Sequence, residues 1–237
     1  MGRTRSFALK LLISLCAAGA FPSLFAASLP PCGAGTVATY QSLTMNPPST
    51  GGCAIGILDY YNFTYLPGTN APAASAIDVT PSGSGFSFGP VTAAPGQTVS
   101  FEIDYGIIID PAPVIGGDDL KLDPPTGDVT VTEYFCNDIS YVGSGDCYPS
   151  TPAPSLTVGT PGTGYPSEAS ITFAHPATTS EYVGIVFTLT GGATGASFDG
   201  LDTVSIISSP EPASAAGLLV GLLALAAGYK LRKQRNR

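Results

Sequence analysis

The sequence predicts an all-β fold: an antiparallel β-sandwich, with a jelly-roll topology as the second choice, set between an N-terminal signal peptide and one C-terminal transmembrane helix. Three observations predict it. Between the end segments, 24 glycines and 19 prolines are spread through about 180 residues, a density that breaks long helices. No stretch of that region keeps a 3.6-residue apolar period, whereas several alternate with a period of two. Charge is partitioned as well: from Leu29 to Ser209 a single Lys or Arg, Lys121, stands against 16 acids, a net charge of −15. That balance excludes nucleic acid as a partner, because such binding rests on cations that neutralise phosphates and release counterions.

The chain divides into residues 1–27, 28–208 and 209–237. In the first segment Arg3, Arg5 and Lys10 precede the apolar run Leu11 to Ala18 and then small residues, the order of a secretory signal peptide. Eight to ten apolar residues are too few to cross about 30 Å of hydrocarbon, so an anchor is not expected here. Two cut sites fit the small-x-small rule, Ala18-Gly19-Ala20 and Ala26-Ala27-Ser28. Signal peptidase and the secretion machinery are therefore expected partners.

The strands of the middle segment follow in order. Ala54 to Leu66, Ala76 to Thr80, Thr98 to Tyr105, Asp128 to Phe135, Ala169 to Ala174, Glu181 to Thr190 and Ser197 to Ile207 carry the alternation or apolar character of strands. In Thr98 to Tyr105 the apolar residues Val99, Phe101, Ile103 and Tyr105 occupy one face, with Glu102 and Asp104 on a polar face read as solvated. Glu181 to Thr190 puts Val183, Ile185, Phe187 and Leu189 on one face and Val186 on the other, as a central strand would. Turn clusters separate these runs at Pro81 to Gly85, Pro95-Gly96, Ile115-Gly116-Gly117 and Pro124 to Gly127, and Tyr148 to Pro166 reads as a long loop. Nine to eleven strands result.

Four cysteines remain after signal removal, Cys32, Cys53, Cys136 and Cys147. An even number in an exported chain reads first as disulfides; of the three connectivities, proximity favours Cys32 with Cys53 and Cys136 with Cys147.

Chemistry is sparse. His175 is the single imidazole, and it alternates with Ile171 and Phe173 before Pro176, the position of a strand end rather than of a base with a third group to orient it. No carboxylate pair stands out among the 16 acids, and no glycine run has phosphate-binding spacing. The chain is read as a non-enzyme, with no catalytic residues assigned. One acidic group, Asp118, Asp119, Asp123 and Asp128 around Lys121, offers oxygen ligands of the kind calcium takes, although its spacing matches no EF-hand and a solvated acidic loop competes with that reading. Tyr60, Tyr61 and Tyr65 form an aromatic group suited to covering sugar faces, but Tyr60 and Tyr61 point to opposite sides of one strand, so at least one belongs to the core.

The C-terminal segment is the most informative. Ala213 to Tyr229 is 17 residues without a charge, about 26 Å as a helix. Five cations lie in the last eight residues, Lys230 to Arg237, which orients the helix with its C-terminus in the cytoplasm and the middle segment outside. Before it stands Ser209-Pro210-Glu211-Pro212. The triplet Pro210-Glu211-Pro212, the short apolar span and the Arg-rich tail together resemble the PEP-CTERM sorting signal of exported bacterial proteins. More loosely, the segment from Cys32 through Gly51-Gly52-Cys53 to Tyr65, and Phe198 to Ile206, resemble the opening and the last strand of such proteins. The resemblance implies an exosortase as partner, cutting near the triplet, with Pro210, Glu211 and Pro212 as recognition residues of a substrate. It also implies a structural or interaction role at the cell surface or in the exopolysaccharide matrix of a biofilm. The alternative from another class is a carbohydrate-binding or calcium-dependent adhesive module with an extracellular polysaccharide as partner.

Overall fold

A computed structural model of the protein describes residues 29–43, 51–109, 114–136, 154–177 and 180–208. The signal segment, the triplet Pro210-Glu211-Pro212, the apolar span 213–229 and the basic tail lie outside the described residues. Among the described residues, no helix is long and apolar enough to cross a membrane.

Among the described residues fourteen strands run in the order β1 (Gly35–Thr36), β2 (Cys53–Ile55), β3 (Leu58–Pro67), β4 (Asp78–Ser82), β5 (Gly85–Phe88), β6 (Val91–Ala93), β7 (Thr98–Ile109), β8 (Val114–Asp123), β9 (Asp128–Cys136), β10 (Ser155–Gly159), β11 (Glu168–Ala177), β12 (Ser180–Thr190), β13 (Ala196–Phe198) and β14 (Gly200–Ser208). One short helix, α1 (Val37–Tyr40), follows β1, capped by the Thr36 side chain. The first sheet has the order β1-β4-β5-β14-β8-β11, the second β10-β9-β12-β7-β3-β2, and β13 pairs with β6 alone. Every strand pair is antiparallel. The centre of the second sheet is the longest ladder, β12 against β7, in unbroken register from Ser180 opposite Ile108 to Thr190 opposite Thr98.

The two sheets close on each other through aromatic rings, because alternation places one row of each strand inward. Phe86 of β5 meets Tyr60 of β3 at 4.6 Å and Tyr105 of β7 at 5.9 Å between ring centroids. Phe187 of β12 stacks on Phe101 of β7 at 4.4 Å and meets Phe88 of β5 at 6.4 Å. Tyr60, Phe86, Phe88 and Phe187 have no exposed surface. Rings this large bury 150–250 Å² each, so they supply much of the hydrophobic stabilisation.

Five sequence expectations differ from the structure. Ile115-Gly116-Gly117 is not a turn but part of β8, because the β11 backbone approaches Gly117 so closely that a Cβ there would strike the Ile171 carbonyl oxygen. Asp118 to Asp123 consequently lie on a strand instead of a loop. Ala54 to Leu66 breaks into the hairpin β2–β3 at Gly56-Ile57, and Ser197 to Ile207 breaks between β13 and β14 at Asp199. The stretch Tyr148 to Pro166 contains β10, whose residues pair with Thr130 to Tyr134 of β9. The strand number exceeds the nine to eleven expected for these reasons.

Where the chain enters the sandwich, the backbone of Cys32 donates to the Ala54 carbonyl at 2.9 Å and Ala54 donates to Pro30 at 2.8 Å. The Cys32–Cys53 disulfide, spanning 21 residues, closes this segment onto β2. That pairing is the one favoured from proximity. Cys136 is also disulfide-bonded, and Cys147 lies outside the described residues.

Candidate functional site

Two places in the fold gather side chains that packing alone does not require. The first is the outer face of the second sheet. A β-bulge in β3 sets Tyr61 opposite Gly106 and Thr64 opposite Asp104, so that Asn62 and Phe63 stand against the single residue Tyr105. Asn62, at φ 53, takes the left-handed conformation that the extra residue needs. Tyr60 and Phe63 both turn inward as a result, with 0 % and 4 % exposure, and Tyr61, itself only 3 % exposed, faces the outer side of the sheet.

The Tyr61 ring lies on Gly106, where a Cβ would collide with Cζ, Cε1 and Cε2. It meets Tyr182 of β12 edge to face at 5.9 Å, and burial, with Tyr182 beside it, raises its hydroxyl above the ordinary tyrosine range. Beside these rings Glu102 and Asp104 stand two apart on β7, over Gly184 of β12. The expectation of a solvated acidic face is corrected here, since Asp104 is 1 % exposed. Neither of its oxygens has a protein donor, and burial followed by the Glu102 charge and contact pushes its carboxyl up to about 8. Burial without a donor, next to a like charge, favours the neutral form, so Asp104 keeps its proton to a higher pH than an ordinary carboxyl.

The second place is the interior between the sheets. Asp118 of β8, Glu133 of β9 and Glu181 of β12 point inward with 2 %, 0 % and 4 % exposure. Asp118 Oδ2 accepts from Ser205 Oγ of β14 at 3.1 Å. Asp118 Oδ1, both Glu133 oxygens and Glu181 Oε2 have no donor. Near them the Tyr60 hydroxyl donates to the Ser84 carbonyl at 2.5 Å, and the Tyr105 hydroxyl shares a bond with Thr203 Oγ1 at 3.4 Å. Burial raises all three acids, Asp118 to about 7, Glu181 to about 8 and Glu133 well above the ordinary carboxyl range, with Asp118 and Glu181 adding charge against Glu133.

The residues singled out in the sequence are only partly brought together. Asp118 and Asp119 are neighbours on opposite faces of β8, and Asp118 alone is inward. Asp123 pairs with Lys121 at 2.9 Å, both partly exposed, and Asp128 is exposed at the start of β9. Among the described residues no group of three or more His, Cys, Asp or Glu is placed to hold a metal ion. Tyr60 is core, while Tyr65 packs against it and donates to the Pro72 carbonyl at 2.5 Å. His175 lies on β11. Glu133 and Glu181 went unmarked in the sequence, yet a signal was present. Each has the same parity as the apolar row of its own strand, Val129, Val131 and Phe135 for one and Val183 to Leu189 for the other.

No family model matches the chain, and no curated protein matches it. Among solved structures, the complex of TmCBM61 with β-1,4-galactotriose aligns at 11 % identity and a TM-score of 0.36, covering 61 % of this chain and 88 % of that one. A likeness at that level carries no argument about what this chain binds.

Proposed function

We propose that the chain is an exported structural and interaction protein of the cell surface or the exopolysaccharide matrix, delivered as an exosortase substrate. The observation that carries this reading is the Cys32–Cys53 disulfide at the entrance to the sandwich. Such a bond belongs to an oxidising compartment, and it agrees with the signal segment ahead of it. The order Pro210-Glu211-Pro212, apolar span, basic tail then gives the route: translocation, a pause in the membrane and cleavage near Glu211. The prolines suit a processing site, because they hold the strand extended and deny it to helix or sheet. A domain of charge −15 is soluble and repels anionic polymers unless divalent cations bridge them. Replacing Pro210, Glu211 and Pro212 with alanine tests the route: the variant is expected to remain in the membrane fraction with its tail attached, and unchanged release refutes the sorting reading.

A second reading, a polysaccharide-binding module, is supported by the outer face of the second sheet. There Tyr182 and Glu102 are partly exposed, with Tyr61 beneath and two glycines keeping the floor low. Rings cover the apolar faces of sugars and carboxyls accept from hydroxyls, which is the chemistry a neutral polysaccharide offers. Retention on matrix polysaccharide that falls at least tenfold in Tyr182→Ala supports this reading, and failure to bind across a broad glycan array removes it. The calcium-dependent form of this reading rests on Asp118, Asp119, Asp123 and Asp128; a melting temperature unmoved by calcium ends it.

A further inference from the structure

The interior trio poses a question of charge. Asp118 comes from the first sheet, Glu133 and Glu181 from the second, so the three carboxyls sit on both sides of the contact that holds the sandwich shut. Among the described side chains, those facing them are Tyr60 of β3, Tyr105 of β7 and Thr203 and Ser205 of β14; Asp119 adds its charge from the other face of β8. None of these is a cation. Lys121 is the sole Lys or Arg between residues 29 and 208, and its side chain is 51 % exposed and paired with Asp123. Among the described side chains, none supplies a cation to neutralise the trio. An isolated charge in such a place costs several kcal/mol or more, so the carboxyls close between the sheets only when something from outside neutralises them.

A proton and a metal ion are the two candidates, and the geometry favours the proton, since no three acids among the described residues are placed to hold a metal. We infer that Asp118, Glu133 and Glu181 form a proton-loaded latch: with protons they let the two sheets close, and without them they drive β8 away from β9 and β12. Carboxyl oxygens that have no donor in the ionised state gain an O–H to share once protonated. The direction follows from burial. Each group holds its proton more tightly folded than unfolded, so the stabilisation is complete below the ordinary carboxyl range. It is lost as pH climbs through about 7 for Asp118 and about 8 for Glu181. The surface that this protein would occupy thus sets how tightly its sandwich is closed, acid holding it shut and alkali loosening it.

The test uses the full-length protein carrying Asp104→Asn, which removes the separate acid pair on the outer face. Amide exchange is followed at β8, β9 and β12 from pH 6 to pH 9, corrected for intrinsic exchange. Opening of these strands is expected to rise up to about tenfold per pH unit for each proton lost, and Glu133→Gln with Glu181→Gln is expected to flatten that rise. Should the double variant fail to fold, the pH profile of the parent decides alone. A profile flat from pH 6 to pH 9 overturns the latch, as does a rise unchanged by the two substitutions. Protection restored at pH 8 by calcium in the parent, and not in Glu133→Gln, also overturns it in favour of a metal.

Discussion

Tyr61 rests its ring on the bare Cα of Gly106, while strand alternation sends its neighbour Tyr60 the other way. Two adjacent tyrosines therefore do opposite jobs. Tyr60 is wholly buried against Phe86 and Tyr105, and Tyr60→Ala is expected to cost about 3–5 kcal/mol, as large-to-small changes of core aromatics do. Tyr182→Ala, on the outer side beside Tyr61, is expected to cost no more than about 1 kcal/mol. Urea unfolding of the two variants checks the contrast.

The Cys32–Cys53 bond closes a loop of 21 residues over the edge strand β2. Loop-closure entropy assigns it about 3 kcal/mol. Replacing both cysteines by serine is expected to lower the urea midpoint by that much free energy with little change in the slope, since the sandwich interior is untouched.

Gly117 sits where β8 passes under the Ile171 carbonyl of β11. Gly117→Ala sets a methyl group against backbone that cannot turn aside, and is expected to cost at least about 2 kcal/mol. Hydrogen exchange should show β11 released before β14, on the other flank of β8.

Asp104 holds its proton up to about 8, chiefly through burial and then through Glu102. Its contribution is present below the ordinary carboxyl range and declines as pH rises through about 8, by up to about 1.4 kcal/mol per pH unit in between. Asp104→Asn keeps the shape and removes the titration. Melting temperatures at pH 5 and pH 9 are expected to lie closer together in the variant than in the parent.

The fold class was legible because alternation is a local property: Val99 to Tyr105 and Val183 to Leu189 face inward as their parity requires. The Cys32–Cys53 pairing was legible from proximity. What escaped the sequence depends on contacts between distant segments. Gly116-Gly117 has the composition of a turn, and the approach of Ile171, over fifty residues later, makes it a strand. The buried state of Asp104 likewise depends on its tertiary surroundings, whereas its parity alone suggested solvent. Glu133 and Glu181 show the reverse case, since their parity did mark them as inward, and the expectation that acids face water hid the signal.

The intact mass and location of the mature protein test delivery to the surface by a sorting signal that is then removed. A protein outside the cytoplasm that has lost the signal segment, ends near Glu211 and lacks the five cations from Lys230 to Arg237 is expected. A mature protein that still carries Lys230 to Arg237, or one found in the cytoplasm with Met1 to Ala18 attached, contradicts it.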